Sequence, residues 1–353
     1  MAVFQIKNVK VVGMTCCVPT TIDRNEDNPQ FTREECDKLI ATIGVKEKRI
    51  ADPSICTSDL CFQAAEKMLQ DMNINRSEID CLFFISQTPD YILPATSCIL
   101  QERLNLSKEC HTIDISLGCS GWVYGLSSIA SLISAGKLRK GLLLVGDTTS
   151  KTTHPKDKSS WPLFGDAGTA TLLEYDEESN GFTFHTATDG SGASAIMIPD
   201  GGYRNPFSVN SLVDREYQMD SYISNVYCKL EGMDVFSFAI SKAPKSVKTV
   251  LDKVAIDKDE IDYFLFHQAN LFLNETIRKK LKLREEQVPY SIDLYGNTSC
   301  ASIPQTMCAK IYNQLENNKL KIVACGFGVG LSWASVFFET DNIYCPNIFE
   351  YHE

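Results

Sequence analysis

Cys119 stands in SLGCSGW, between Gly118 and Gly121, with the alternating apolar run TIDIS before it and the helix-like WVYGLSSIASLI after it. Unpaired backbone N–H groups at a helix start favour an anion, so a thiol placed there is expected to titrate below the ~8.5 of a free cysteine and to act as a nucleophile. The two glycines would let substrate and backbone approach it closely. Residue type alone carries no message, because the chain has 14 cysteines. Packing of a tight strand-to-helix turn is the other use this position allows.

A nucleophilic cysteine needs a partner that handles protons, and only five histidines are available. His111 opens a strand, His185 lies in FTFHTATDG, His154 sits in the polar loop THPKDKSS and His352 is in the tail. His267 differs from these. In FLFHQANLFLNETIRKKL it ends an apolar strand ahead of an amphipathic helix, at the carboxyl edge where α/β sites gather. Gln268 and Asn270 add polar groups beside it, which argues against a dry core histidine. Asn297, in GNTS, either caps a helix or offers its amide to the same pocket. Cysteine peptidases share this Cys, His, Asn order, but their pattern places tryptophan directly after the thiol, where Ser120 stands here.

The elements that must position these groups are written twice. Strand-like VKVVG, helical SDLCFQAAEKMLQDM, strand-like CLFFIS, helical ILPATSCILQERL and strand-like TIDIS follow one another, the pattern of helices packed on sheet. INRSEIDCLFFIS (74–86) matches IDKDEIDYFLFHQ (256–268) at a shift of 182, and KLRKGLLLVGD from Lys137 faces KLKIVACGFG from Lys319 at the same shift. A repeat of half the chain implies two similar units about a pseudo-twofold axis rather than a solenoid. The boundary is expected in YDEESNG, giving an N-terminal half, 1–178, and a C-terminal half, 179–353. Irregular sequence from Asp189 to about Lys229 reads as an insertion or lid in the second half. The repeat sets Asn297 opposite Cys119 at a shift of 178, so two helix starts are expected to converge on one pocket.

Composition excludes several functions. Lys and Arg number 34 against 45 Asp and Glu, a net charge of −11, which disfavours nucleic acid and anionic membranes. No apolar stretch approaches the ~20 residues of a membrane span. Cysteines spread through apolar segments, such as Cys81, Cys98 and Cys325, read as reduced thiols in a reducing, cytoplasmic compartment. No CxxC pair occurs, and adjacent Cys16 and Cys17 would point to opposite strand faces, so no metal site is expected.

GCSG, HQAN and GNTS, in this order and spacing, resemble the thiolase-fold condensing enzymes of the β-ketoacyl-acyl carrier protein synthase III type, and FGDAG (164–168), GMDVFSFAI (232–240) and GFGVGLSW (326–333) extend the likeness over nearly the whole chain. The resemblance implies an α/β, thiolase-like five-layered αβαβα fold from two pseudo-duplicated halves, and a homodimer. It implies Cys119, His267 and Asn297 as catalytic residues: a Cys119 acyl-enzyme, an oxyanion held by the N–H groups of Cys119 and Val329, and an enolate held by neutral His267, through Nε2–H, and by Asn297. The reaction implied is decarboxylative condensation of an acyl thioester with malonyl-acyl carrier protein. Acyl thioesters of coenzyme A or phosphopantetheine would be substrates, with no cofactor. Lys38 and Thr42 stand where the family commonly clamps coenzyme A with tryptophan and arginine, so a carrier-bound donor is equally compatible. Phe327 would wall the acyl pocket, and Leu93 occupies the place from which a partner subunit often presents a phenylalanine. In RKKLKLR, Arg278, Lys279 and Lys280 would receive an acidic acyl carrier protein, or else simply complement a helix dipole. Two further roles stay open at this level: acyl transfer to an amine or alcohol without decarboxylation, and an inactive partner subunit.

Overall fold

Runs such as CLFFI and GLLLV are apolar on both faces and need cover on both sides. A computed structural model describes residues 2–218 and 221–352 and shows how that cover is provided. The strands are β1 (Ala2–Ile6), β2 (Val9–Val18), β3 (Ile79–Ile85), β4 (His111–Ile115), β5 (Lys140–Thr148), β6 (Asp166–Tyr175), β7 (Phe182–Thr188), β8 (Tyr263–Phe266), β9 (Lys319–Gly328), β10 (Ser332–Asp341) and β11 (Phe349–Glu350), besides three two-stranded ladders. One sheet has the order β11-β2-β6-β5-β3-β4 and the other β1-β7-β10-β9-β8. Helices α1 (Arg33–Ile43), α2 (Thr57–Asp71), α3 (Thr96–Arg103), α4 (Gly121–Gly136), α5 (Gly232–Val254), α6 (Leu271–Leu281), α7 (Ile292–Tyr295) and α8 (Ser302–Lys310) complete the frame.

The layers follow from which faces are apolar. α4 is apolar nearly all round, as a helix enclosed by protein must be, and lies with α8 between the two sheets. Trp122, Leu126 and Ile129 of α4 and Ile303 and Met307 of α8 share a core with β3, β5, β9 and β10. α2 covers the outer face of the first sheet, setting Leu60, Ala64 and Met68 against Leu82, Phe84 and Leu142. α5 and α6 cover the second, with Phe238, Val247, Leu273 and Ile277 against Phe264, Phe266 and Val323. The result is helix, sheet, helix, sheet, helix, the five-layered thiolase-type architecture.

The internal repeat is visible in the pairing. β3 runs parallel to β5, and β8 runs parallel to β9. Each of β3 and β8 follows a single turn of 3₁₀ helix, one opened by the Asn75 side chain accepting from the Ser77 N–H at 3.0 Å, the other by Asp257 accepting from the Asp259 N–H at 2.8 Å. The segment between Tyr175 and Phe182 links β6 of the first sheet to β7 of the second, and each sheet takes a strand from across it. β1 pairs antiparallel with β7 in the second sheet, and β11 pairs parallel with β2 in the first. In the stretch read as an insertion, from Asp189 to about Lys229, the described residues have 3₁₀ turns at Gly190–Ala195 and Val209–Leu212 and short ladders joining 196–197 to 229–230 and 215–216 to 222–223. ILPATSC is only half helical: α3 begins at Thr96, and Leu93 and Pro94 precede it.

Candidate active site

Strand β4 delivers the chain to Cys119 two residues before α4 begins, so the thiol sits where the central helix points outward between the sheets. Gly328, the last residue of β9, passes directly over it. A β-carbon at Gly328 would lie 2.5 Å from the Cys119 Sγ, so no other residue fits there. Gly121 has a different use from the one its sequence suggests: a β-carbon there would lie 2.8 Å from Ile85 Cγ2, which makes it a packing position rather than a substrate approach.

At Cys119 the balance of burial and charge runs opposite to the sequence expectation. Burial pushes the thiol up to about 11, and the Asp147 carboxylate adds to that effect. The backbone N–H groups of Val329 and of Cys119 itself, with the Ser299 hydroxyl, pull in the opposite direction without compensating. Desolvation of a thiolate within the cavity outweighs a few partial positive charges. The same two N–H groups that touch the sulfur are positioned to receive an oxyanion when the sulfur bonds to carbon.

His267 leaves the end of β8 with its N–H bonded to the Cys325 carbonyl at 2.9 Å and its ring edge-on to Phe327, centroids 5.6 Å apart. It is buried, and burial pulls the imidazole down to about 3, so the ring is neutral across the physiological range. Nδ1 lies 2.8 Å from Ser302 Oγ, the first residue of α8. The Ser302 hydroxyl has one hydrogen and two acceptors within reach, Nδ1 and the Ser299 carbonyl at 2.9 Å. The hydroxyl donates to that carbonyl, which also accepts the Ser302 backbone N–H, and it accepts from the Gln268 N–H at 3.3 Å, so the imidazole tautomer decides which partner carries the hydrogen of the Nδ1–Ser302 contact. Gln268 does not contribute to the site: its amide spans the Phe266 carbonyl and the Ser291 N–H. Asn270 caps α6, accepting from the Leu273 N–H at 2.8 Å.

Asn297 is held on every side but one. Its N–H donates to the Leu163 carbonyl at 2.8 Å and its carbonyl accepts from the Gly165 N–H at 3.1 Å, so the FGDAG segment clamps its backbone. Asp166 anchors that segment by accepting from the Ala51 and Ser150 N–H groups at 2.8 and 2.9 Å, and burial raises its carboxyl to about 6. In the Asn297 side chain Oδ1 accepts from the Ser299 N–H at 2.9 Å, which fixes the amide orientation, and Nδ2 donates one hydrogen to the Ala269 carbonyl at 3.4 Å. One amide hydrogen remains for the cavity.

Cys119, His267, Asn297, Phe327 and Val329 all line one cavity of about 630 Å³. Toward its mouth it is walled by apolar side chains, among them Met197, Ile198, Met233, Phe236 and Phe272, with Phe236 stacked on Phe272 at 5.5 Å. Among the lining residues Asp147 alone is charged. Leu93 does not line it in this chain and is 80% exposed beside Tyr91 and Ile92. Lys38 and Thr42 lie on α1 away from the cavity, Lys38 paired with Glu34 at 2.7 Å. Arg278 needs correction as a docking residue: it is 8% exposed, and its guanidinium is engaged by Glu275, Glu285 and the Leu283 carbonyl. Arg284 is paired with Glu286 and Asp259, Lys279 with Glu275 at 3.8 Å, and Lys280 donates to the Ile240 carbonyl at 3.0 Å, so Lys279, Lys280 and the exposed Lys282 are what remains of the predicted basic surface.

Ser299, Ser302 and Asp147 were missed by sequence reasoning, although Ser299 is the last residue of the GNTS motif and Ser302 lies three residues beyond it. Among the described residues, no group of three or more His, Cys, Asp or Glu side chains is arranged to hold a metal ion, no cysteine is in a disulfide, and no helix is long and apolar enough to cross a membrane.

Two layered halves with a cysteine, a histidine and an asparagine on one cavity define the condensing-enzyme class of the thiolase fold. Family descriptions match in both halves: 3-oxoacyl-[acyl-carrier-protein (ACP)] synthase III over residues 113–190, and its C-terminal part over residues 251–340. The chain is 36% identical over 349 residues to a putative 3-oxoacyl-[acyl-carrier-protein] synthase 3 of Campylobacter jejuni, covering 97% of this chain and 95% of that one. It is 33% identical to a β-ketoacyl-[acyl-carrier-protein] synthase III of Rhodopirellula baltica, covering 94% and 99%. The crystal structure of a 3-oxoacyl-(acyl-carrier protein) synthase from Burkholderia xenovorans superimposes with a TM-score of 0.93 at 37% identity, covering 99% of both chains. This chain belongs to the β-ketoacyl-acyl carrier protein synthase III family.

Proposed function

We propose that the chain catalyses decarboxylative Claisen condensation of an acyl thioester with malonyl-acyl carrier protein, releasing CO₂ and a 3-oxoacyl-acyl carrier protein. In the first half the Cys119 sulfur attacks the thioester carbonyl, the N–H groups of Cys119 and Val329 hold the oxyanion, and the departing pantetheine sulfur leaves with the proton the thiol gave up. In the second half a malonyl thioester loses CO₂, and the electron pair of the broken C–C bond becomes an enolate. Nε2–H of His267 and Nδ2–H of Asn297 donate to its oxygen, and its carbon attacks the acyl group and expels the Cys119 sulfur, which is reprotonated.

The observation that carries this reading is the back side of the two donors. Ser299 fixes which end of the Asn297 amide faces the cavity, and burial keeps His267 uncharged. A neutral imidazole and a carboxamide are far weaker acids than an imidazolium, so neither readily protonates the carbanion, and their paired hydrogen bonds serve where other enzymes use a metal. A malonyl carboxylate entering a cavity without Lys or Arg finds no partner, which favours its loss as CO₂ over its retention.

Lys279 and Lys280 are the proposed contacts for an acidic carrier, and the exposed Tyr91–Leu93 segment is the proposed reach into a second copy of the chain. The free thiols suit a reducing cytoplasm. The test is intact mass. Exposure to an acyl thioester should add one acyl group at Cys119, and malonyl carrier should then remove it with one CO₂. Stable acylation without CO₂ release would overturn condensation and leave simple acyl transfer.

A further inference from the structure

The steps above make no use of Lys48. It is 1% exposed, does not line the cavity, and holds its ammonium 2.7 Å from Asp23 and 5.0 Å from the centre of the Trp161 ring. Lys48 and Asp23 face each other across a short antiparallel ladder in which Thr21–Arg24 pairs with Glu47–Ile50. The chain around the second of these strands backs the clamp on Asn297 at three levels. The Lys46 N–H donates to the Asp293 carbonyl of α7 at 3.0 Å, and the Ala51 N–H donates to Asp166 at 2.8 Å. Between them the Lys48 stem lies against both segments of the clamp: a β-carbon at Gly165 would come within 3.2 Å of Lys48 Cβ, and one at Gly296 within 3.3 Å. Gly296 directly precedes Asn297, and the Gly165 N–H is the donor to the Asn297 carbonyl. Burial pulls the Lys48 ammonium down, and Asp23 and Asp166 oppose this by favouring its charged form.

We propose that Lys48 is a positioning residue for the decarboxylating half-reaction: it touches no substrate and sets where the Asn297 amide stands. The inference rests on the condensing-enzyme reading above and adds the residue that holds one of its two enolate donors. Removing two charges from water costs about as much as their attraction returns, so a buried Lys–Asp pair contributes little to stability. What it contributes is direction. An apolar chain could fill the space of the stem, but only the ammonium ties the ladder strand to Asp23 and draws it toward Asp166, which anchors the FGDAG segment. The backbone bonds of Asn297 to Leu163 and Gly165 inherit that position, and with them the amide hydrogen that faces the cavity. Cys119 and Val329 belong to other elements, ahead of α4 and after β9, so acylation does not depend on it.

The experiment compares the two half-reactions in the full chain: Cys119 acylation by intact mass with acetyl, butyryl and octanoyl carriers, and CO₂ release from malonyl carrier by the acylated enzyme. Lys48→Met, which keeps an apolar stem and removes the ammonium, should slow CO₂ release about tenfold and leave acylation within about twofold of the parent; a shift of about 1 Å can cost ~10²-fold. The loss should vanish in an Asn297→Ala background, because a residue that acts through Asn297 then has nothing to position. Lys48→Arg should recover most of the rate. Should Lys48→Met not fold, Asp23→Asn, at the half-buried partner, is read by the same two criteria with a loss of about threefold. Equal slowing of both half-reactions, or a loss that persists in the Asn297→Ala background, would overturn the inference and leave the condensing reading intact. A parent enzyme that loads an acyl group and releases no CO₂ would instead sink the condensing reading and the inference with it.

Discussion

Two helix starts face one cavity, and they are prepared in opposite ways. At the start of α4 the Cys119 sulfur receives weak support from two N–H groups and one hydroxyl against burial and a carboxylate. At the start of α8 the Asn297 amide and the His267 ring are each tied from behind, by Ser299 and Ser302. The sulfur must change charge during a cycle, and the other two groups must not. A duplicated frame supplies symmetric positions, and the chemistry comes from equipping one position to give up a proton and the other to hold still.

The comparison predicts that the two half-reactions can be damaged separately. The largest effect is expected for Asn297→Ala and His267→Ala, which should each slow decarboxylation by roughly 10²–10³-fold while Cys119 still accepts acyl groups within a few-fold of the parent rate. Equal loss of both steps would erase the distinction between the two helix starts.

Ser302→Ala should cost less, about tenfold in condensation with little change in acylation, because the ring loses the hydroxyl bonded to Nδ1 but keeps its place against Phe327. Ser302→Thr should restore most of the lost rate. A fall in both half-reactions with no rescue by threonine would make Ser302 a packing residue only.

The subtlest effect is in pH. With the thiol pushed up to about 11, alkylation of Cys119 by iodoacetamide in the empty enzyme should rise about tenfold per pH unit through the range in which an ordinary cysteine levels off. A plateau below pH 9 would mean that the helix start wins after all. Decarboxylation should show no step attributable to His267 above about pH 5, since the imidazole is pulled down to about 3.

Much of this was legible in the sequence because it is local. The repeated β3 and β8 segments, each behind a capped 3₁₀ turn, declare themselves by register, and Cys119, His267 and Asn297 sit at strand ends and helix starts that periodicity alone locates. What escaped depends on contacts between distant segments. The His267–Ser302 pair spans 35 residues and Asp147–Cys300 spans 153, and neither leaves a pattern in either stretch. Arg278 looked like surface charge because its helix is amphipathic, yet Glu275, Tyr290 and Glu285 enclose it in three dimensions. The surroundings of the thiol escaped for a similar reason: a helix start can be seen in sequence, but the depth of the pocket around it cannot.

The exchange of β1 and β11 between the sheets ties the halves as laces tie a boot. A protease that cuts within 176–181 would free two fragments, each still holding a strand that belongs in the other's sheet. Such nicked protein should stay together through gel filtration and melt as one body, and the pocket between the halves would survive the cut.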